Sequence, residues 1–122
     1  RCDDADMVIV TMGALGAEAH RAVDELRDTG ISAGLARVRV FRPFPREVLQ
    51  RIADQAALVI IDRNISVGLD GVLATEIRGT IEGDMHSFVA GLGGRDVTHE
   101  DIMRMYELAE QGKEGWYSVE VQ

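Results

Sequence analysis

The sequence predicts an α/β domain in which a mainly parallel sheet is flanked by helices in three layers. Three observations carry that expectation. Short apolar runs rich in β-branched residues alternate with stretches of helical periodicity. Most of these runs lack the in-and-out alternation of a one-sided sheet, which suits strands covered on both faces. The intervening stretches are long enough for crossovers, and such connections build right-handed βαβ units.

Met7–Thr11 is the first apolar run, bounded by Gly13 and Gly16, and reads as a buried strand. Ala19, Ala22, Val23 and Leu26 then recur at i, i+3, i+4 and i+7 with charges between them, which is one face of a helix. Gly30 followed by Ile31 supplies its left-handed cap. Leu35–Phe41 alternates, with Ala36, Val38 and Val40 opposite Arg37 and Arg39, so one face of the second strand is expected to meet polar surroundings. Pro43 and Pro45 stop that strand, and Pro45 can open the next helix, where Val48, Leu49 and Ile52 form a short stripe ending near Asp54.

Ala57–Ile61 reads as the third strand, followed by a charged, glycine-punctuated loop from Asp62 to Gly71. The next helix is expected from about Val72 to Ile81, with Leu73, Ile77 and Ile81 on one face and Gly79 weakening it. Ser87–Ala90 is a short fourth strand, after which Gly91-Leu92-Gly93-Gly94-Arg95-Asp96 repeats the strand-then-glycine-loop arrangement. The last helix starts at Thr98, whose hydroxyl caps the turn with Asp101 as an acidic variant of the capping box. Ile102, Met105, Tyr106 and Ala109 are its buried stripe, Gly112 ends it, and Trp116–Val121 alternates as an edge strand or ordered tail would.

Composition limits the function classes. The chain has 122 residues, 46% of them apolar, enough for one ordinary core. A net charge of -8 repels nucleic acid and anionic lipid, so neither is an expected partner. The single cysteine, Cys2, excludes an internal disulfide or a set of thiolate ligands, and a reducing cytoplasm fits best. No apolar run approaches the ~20 residues of a membrane span. No charged-then-apolar leader opens the chain, and the polar Arg1–Asp6 segment reads as a linker entering a domain.

A self-contained active site is not expected. Gly13-Ala14-Leu15-Gly16 stands where a dinucleotide fold holds pyrophosphate on helix N–H groups. The G-x-G-x-x-G fingerprint is absent and no acid ends the second strand, so these glycines read as a tight turn. Asp62 stands where a receiver domain carries its phospho-accepting aspartate, but such domains need an acidic pair at the end of strand one. That position reads Thr11-Met12-Gly13, and Asp3-Asp4 lie before the strand, on the opposite edge. Asp62 or Asp70 is therefore expected to bond loop amides and pair with Arg63.

His20, His86 and His99 lack a metal-ligand spacing, and His20 and His99 are expected on solvated helix surfaces. No Gly-x-Ser-x-Gly elbow surrounds a serine. Arg37, Arg39, Arg42 and Arg46 concentrate positive charge in an acidic chain, with the strand alternation pointing Arg37 and Arg39 to one face. Arginines fixed on a strand favour planar ion pairs, either at a docking surface or with local carboxylates.

Several segments then fall in order: Val8-Ile9-Val10-Thr11-Met12-Gly13, Val23-Asp24-Glu25-Leu26-Arg27, Gly34-Leu35-Ala36-Arg37-Val38-Arg39 and Phe41-Arg42-Pro43-Phe44-Pro45. Asp62-Arg63-Asn64-Ile65-Ser66-Val67-Gly68 and Ala90-Gly91-Leu92-Gly93-Gly94-Arg95-Asp96 complete the series. Together they resemble the C-terminal domain of the α subunit of pyruvate:ferredoxin oxidoreductase, a domain similar to the C-terminal domain of transketolase. The Arg-Pro-Phe-Pro and Asp-Arg-Asn-Ile-Ser segments look more like the pyruvate branch than the 2-oxoglutarate branch of the 2-oxoacid:acceptor oxidoreductases.

The resemblance implies a transketolase C-terminal-domain-like fold over residues 7–110, with residues 1–6 as linker and 111–122 as a tail that matches no pattern. It implies an enzyme that decarboxylates a 2-oxoacid oxidatively with thiamine diphosphate, magnesium and coenzyme A, passing electrons through iron–sulfur clusters to ferredoxin. The family carries that equipment on other domains or subunits. The chain is accordingly expected to be a C-terminal piece of a larger polypeptide, inactive alone, with no catalytic, cofactor-binding or metal residue of its own. Arg37, Arg39, Arg42, Asp62, Arg63, Asn64, Arg95 and Asp96 are its candidates for subunit contact or loop shaping. Two other readings stay open. One is a stand-alone module binding a nucleotide or coenzyme A at the two glycine loops through Arg63 and Arg95. The other is the equivalent domain of another thiamine enzyme, such as a transketolase-like or 2-oxoacid dehydrogenase β chain.

Overall fold

A computed structural model of the chain describes residues 6–12, 16–38, 46–63, 72–90 and 97–116. Among these residues five strands alternate with four helices: β1 (Met7–Met12), α1 (Gly16–Asp28), β2 (Ala33–Val38), α2 (Arg46–Ala53), β3 (Ala57–Arg63), α3 (Val72–Thr80), β4 (Met85–Ala90), α4 (His99–Glu110) and β5 (Gly115–Trp116). The strands form one sheet in the order β2-β1-β3-β4-β5. Every pairing is parallel, with Ile9 opposite Leu35 and Val59, and Ile61 opposite Phe88.

The continuous apolar strands follow from burial on both faces. Ile9, Val59, Ile61 and Phe88 pack with Ala19, Val23 and Leu26 of α1 and with Ile102, Met105 and Tyr106 of α4. Val8, Val10, Leu58 and Ile60 point the other way, onto Leu49 and Ala53 of α2 and Ala74 and Ile77 of α3. A fully buried Ile or Leu contributes roughly 1.5–3 kcal/mol. The two core layers therefore require helices on both sides of the sheet, and the expected three-layer α/β architecture is what forms.

Helix ends follow the predicted chemistry. Gly30 has φ 91, its N–H donates to Arg27 O at 3.0 Å, and Ile31 N–H reaches back to Leu26 O at 3.0 Å. This is a Schellman cap, with Ile31 packed against the same core as Leu26. Gly112, at φ 79, repeats the pattern on α4 through Gly112 N–H to Ala109 O and Lys113 N–H to Leu108 O. At the other end of α4, Thr98 accepts from Asp101 N–H while the Asp101 carboxylate accepts from Thr98 N–H, completing the predicted capping box.

Three boundaries differ from the sequence reading by two residues, each for a physical reason. Strand β2 begins at Ala33 rather than Leu35, because Ala33 and Gly34 pair with Met7 and Val8. Strand β4 begins at Met85 rather than Ser87, since Met85 and His86 pair with Leu58 and Val59. Strand β3 runs on through Asp62 and Arg63, which pair with Val89 and Ala90. On α2 the stripe is Leu49, Ile52 and Ala53. Val48 turns outward at 55% exposure, because a helical step of 100° per residue carries it off the face that Leu49 occupies. The alternating segment from Trp116 contributes Gly115–Trp116 to the sheet, and residues 117–122 lie outside the described residues.

Candidate functional site

In an open parallel sheet, ligands and partners meet the carboxyl ends of the strands, above all where the strand order reverses. Here the order reverses between β1 and β3. The described groups at that edge are Thr11, Arg37, Asp62 and the first turns of α1, α3 and α4. Segments 13–15, 39–45, 64–71 and 91–96 follow β1 to β4 in sequence. Of the predicted candidates, Arg39, Arg42, Asn64, Arg95 and Asp96 therefore lie outside the described residues, as does Asp70. Arg63 is the last residue of β3.

Asp62 is built into the fold. The alternation along β3 sends it to the same side as Leu58 and Ile60, toward α3, and it is only 6% exposed. Its Oδ2 accepts from Ala74 N–H at 2.9 Å. Ala74 is the third residue of α3, one of the helix-start amides that lack an intrahelical acceptor. The carboxylate thus serves as a helix cap supplied from a strand, and its negative charge sits at the positive end of the helix dipole. The loop that the sequence reading expected Asp62 to shape, residues 64–71, lies outside the described residues, and the described amide that it binds belongs to a helix.

Arg37 occupies the other face. It is opposite Thr11 in register and lies on the same side as Leu35 and Ile9, toward α1. Its guanidinium rests against Gly16, the first residue of α1, where an added Cβ would overlap the Arg37 Nε and Cζ atoms. The residue is exposed, and among the described residues no carboxylate pairs with it. Thr11 beside it is fully buried, and its hydroxyl has no hydrogen-bond partner among the described residues.

The sequence reading missed a second group on this face. His99, expected in solvent, has a side chain only 12% exposed. Its backbone N–H donates to Glu18 Oε2 at 2.7 Å. Its Nδ1 is 3.6 Å from Glu18 Oε2 and its Nε2 is 3.5 Å from Glu25 Oε2. Glu18 and Glu25 are seven residues apart on α1, hence on one helix face, and His99 at the start of α4 lies between them. The α1–α4 seam is closed there by the His99 N–H bond to Glu18 and by the imidazole lying between the two carboxylates. The signal available in sequence was the i, i+7 pair of glutamates, but nothing local named its partner. His20, by contrast, is exposed as expected and pairs with Asp24 at 3.3 Å.

Among the described residues no three His, Cys, Asp or Glu side chains converge to hold a metal ion. The described residues offer no ligand set for magnesium, and the chain's one cysteine cannot by itself ligate an iron–sulfur cluster. What the edge presents is an arginine without a carboxylate partner among the described residues, a capped helix start and a histidine–glutamate seam. The class these elements define is an open α/β domain built on a parallel sheet.

The comparisons with known proteins agree with that class. Residues 5–102 match the model of the pyruvate:ferredoxin oxidoreductase core domain II, and the chain belongs to that family. It is 43% identical over 121 residues to ketoisovalerate oxidoreductase subunit VorA of Pyrococcus furiosus, covering 91% of this chain and 31% of that protein. It is 40% identical over 116 residues to pyruvate synthase subunit PorA of Methanothermobacter thermautotrophicus, covering 91% of this chain and 30% of the relative. The chain thus spans about a third of these relatives. Among solved structures, the alpha chain of a probable 2-oxoacid ferredoxin oxidoreductase from Thermoplasma acidophilum superposes with a TM-score of 0.57 at 25% identity, covering 89% of this chain and 91% of that one. A 2-oxoglutarate:ferredoxin oxidoreductase from Magnetococcus marinus shares the fold, with a TM-score of 0.70 at 20% identity over 85% of this chain and 18% of that one.

Proposed function

We propose that this chain is a structural and subunit-contact domain of a 2-oxoacid:ferredoxin oxidoreductase α subunit. The observation that carries the reading is the family match over residues 5–102, joined to an edge that offers Arg37 for docking. The whole enzyme decarboxylates a 2-oxoacid oxidatively to an acyl-CoA and passes the electrons to ferredoxin. Thiamine diphosphate with magnesium, iron–sulfur clusters and coenzyme A belong to its other domains and subunits. The work proceeds in the reducing cytoplasm, in keeping with a single cysteine and with the lack, among the described residues, of a helix long and apolar enough to cross a membrane.

The chain's own contribution is positional. Arg37, together with the sequence candidates Arg39, Arg42, Arg63 and Arg95, offers planar donors to carboxylates of an adjoining subunit. Asn64 and Asp96 complete the candidate set, and Asp62 fixes the start of α3.

The test uses the full-length polypeptide co-expressed with its partner subunits. A viologen dye should be reduced with a 2-oxoacid and coenzyme A by the complex, and not by the isolated 122-residue chain. Arg37→Ala should weaken co-purification while leaving the thermal melt of the isolated chain within ~0.5 kcal/mol of the parent. Dye reduction by the isolated chain, or unchanged assembly with a lowered melting point, would refute the reading.

A further inference from the structure

The start of α1 brings together three sets of polar groups without partners among the described residues. Gly16, Ala17 and Glu18 open the helix, and none of the described residues accepts from their amides. The Arg37 guanidinium lies against Gly16, which seats a positive charge at the positive end of the helix dipole. That placement is unfavourable until an anion joins it. Glu18 is the acid of the same turn, but a helical step of 100° per residue turns it about 200° from Gly16. Its Oε2 is drawn off to α4, where it accepts from His99 N–H at 2.7 Å.

Thr11 is an independent observation on the same spot. It stands opposite Arg37 in the β1–β2 register and on the Ile9 side of the sheet, the side that α1 covers. Its hydroxyl is fully buried and makes no hydrogen bond among the described residues. A valine of nearly the same shape would avoid the cost of burying that group unpaired. The Arg37 side chain is exposed, so it can swing aside to admit the acceptor that Thr11 lacks.

Charge selects the acceptor. One guanidinium and a helix start together carry about 1.5 positive charges. A single carboxylate leaves part of that charge unmatched, whereas a phosphate monoester, at about -1.5 to -2 near neutral pH, balances it. The donors also come from three elements, β1, β2 and α1, as the oxygens of a tetrahedral group require. The strand order reverses beside β1, where open sheets take their ligands. We propose that Thr11, Arg37 and the first amides of α1 form a binding site for the phosphate group of a soluble ligand. The site needs no partner subunit and does not rest on the assembly reading.

Inorganic phosphate is the probe, and hydrogen exchange of the full-length polypeptide without its partner subunits is the readout. In about 10 mM phosphate, a site with a Kd of about 1 mM should slow exchange at Gly16–Glu18 by about tenfold, with ionic strength held constant by sodium chloride. Thr11→Val and Arg37→Met should each abolish that gain. Thr11→Val should also melt no lower than the parent, because the hydroxyl it removes has no partner, and this separates loss of the site from loss of the fold. A flat response to phosphate, or a gain that survives both substitutions, would overturn the site. An equal gain with acetate would overturn the phosphate assignment and make the occupant a carboxylate. Failure here leaves assembly untouched, since co-purification of Arg37→Ala reads that property separately.

Discussion

Replacing Asp62 by Asn isolates the charge of the cap that β3 supplies to α3. The substitution keeps the size of the side chain and one oxygen acceptor, so no cavity opens. What changes is that Ala74 N–H, held at 2.9 Å by a carboxylate oxygen, must bond a neutral amide oxygen, in a site where the residue is 6% exposed. Charge-assisted bonds are about twice as strong as neutral ones, and the net value of a neutral bond is about 1 kcal/mol. A carboxylate at a helix N-terminus adds roughly 0.3–1 kcal/mol, and more when partly buried. The expected loss is therefore about 1–2 kcal/mol. Asp62→Ala leaves the amide unsatisfied and should cost about 1–3 kcal/mol from that bond alone. For a domain of this size, each kcal/mol lowers Tm by about 4 °C. Urea and thermal melts of the chain measure the totals, and amide hydrogen exchange locates them. Lost protection centred on α3, with Val8–Val10 unaffected, is the expected pattern. An Asp62→Asn variant that melts like the parent would refute the capping argument, and one that melts normally while abolishing activity of the whole complex would make Asp62 a functional residue.

Three further outcomes follow from the same geometry. His99→Ala should destabilise the chain by about 0.5–1.5 kcal/mol through the α1–α4 seam, whereas His20→Ala, on an exposed helix surface, should stay within ~0.5 kcal/mol; paired urea melts distinguish them. Leu49→Ala should cost about 2–5 kcal/mol and Val48→Ala less than ~0.5 kcal/mol, because only Leu49 is buried; equal losses in denaturant titrations would show that α2 docks by a different face. Burial first, and then the Glu110 charge, push the Tyr106 hydroxyl up to about 12. Its neutral form is favoured in the folded chain, so this contribution to stability is full below pH ~10, the ordinary tyrosine value, and is lost as pH rises toward 12. Ultraviolet titration should show Tyr106 ionising only as the chain unfolds in alkali, a step that Tyr106→Phe removes.

Most of the architecture was legible because it rests on patterns that are local in sequence. The i, i+3, i+4, i+7 stripe of α1, the glycine caps at Gly30 and Gly112 and the Thr98–Asp101 box each lie within one or two helical turns. Two-sided burial likewise wrote itself into β1 and β3 as unbroken apolar runs. The errors came where a residue answers to something distant in sequence. Asp62 ends an apolar run, and the described amide that it accepts from is twelve residues on, reached only by the β3–α3 crossover, so its role as a helix cap could not be read locally. Polarity in a strand marks a boundary only if no tertiary donor awaits it. His99 N–H and its acceptor Glu18 are separated by 81 residues, and Ser87 N–H and its acceptor Glu114 by 27. No window of sequence contains either pair. Both join elements that meet only once the sheet is assembled, so the polar groups that pin α4 to α1 and β5 to β4 are consequences of the fold's topology. The arginines concentrated between Arg37 and Arg46 in sequence belong to the same category. Their clustering was visible in the chain, but whether Arg37 meets a carboxylate is decided by what stands beyond the edge. Among the described residues Arg37 lies against Gly16 with no acidic partner, and that is why assembly, rather than the fold, is the property its removal should change.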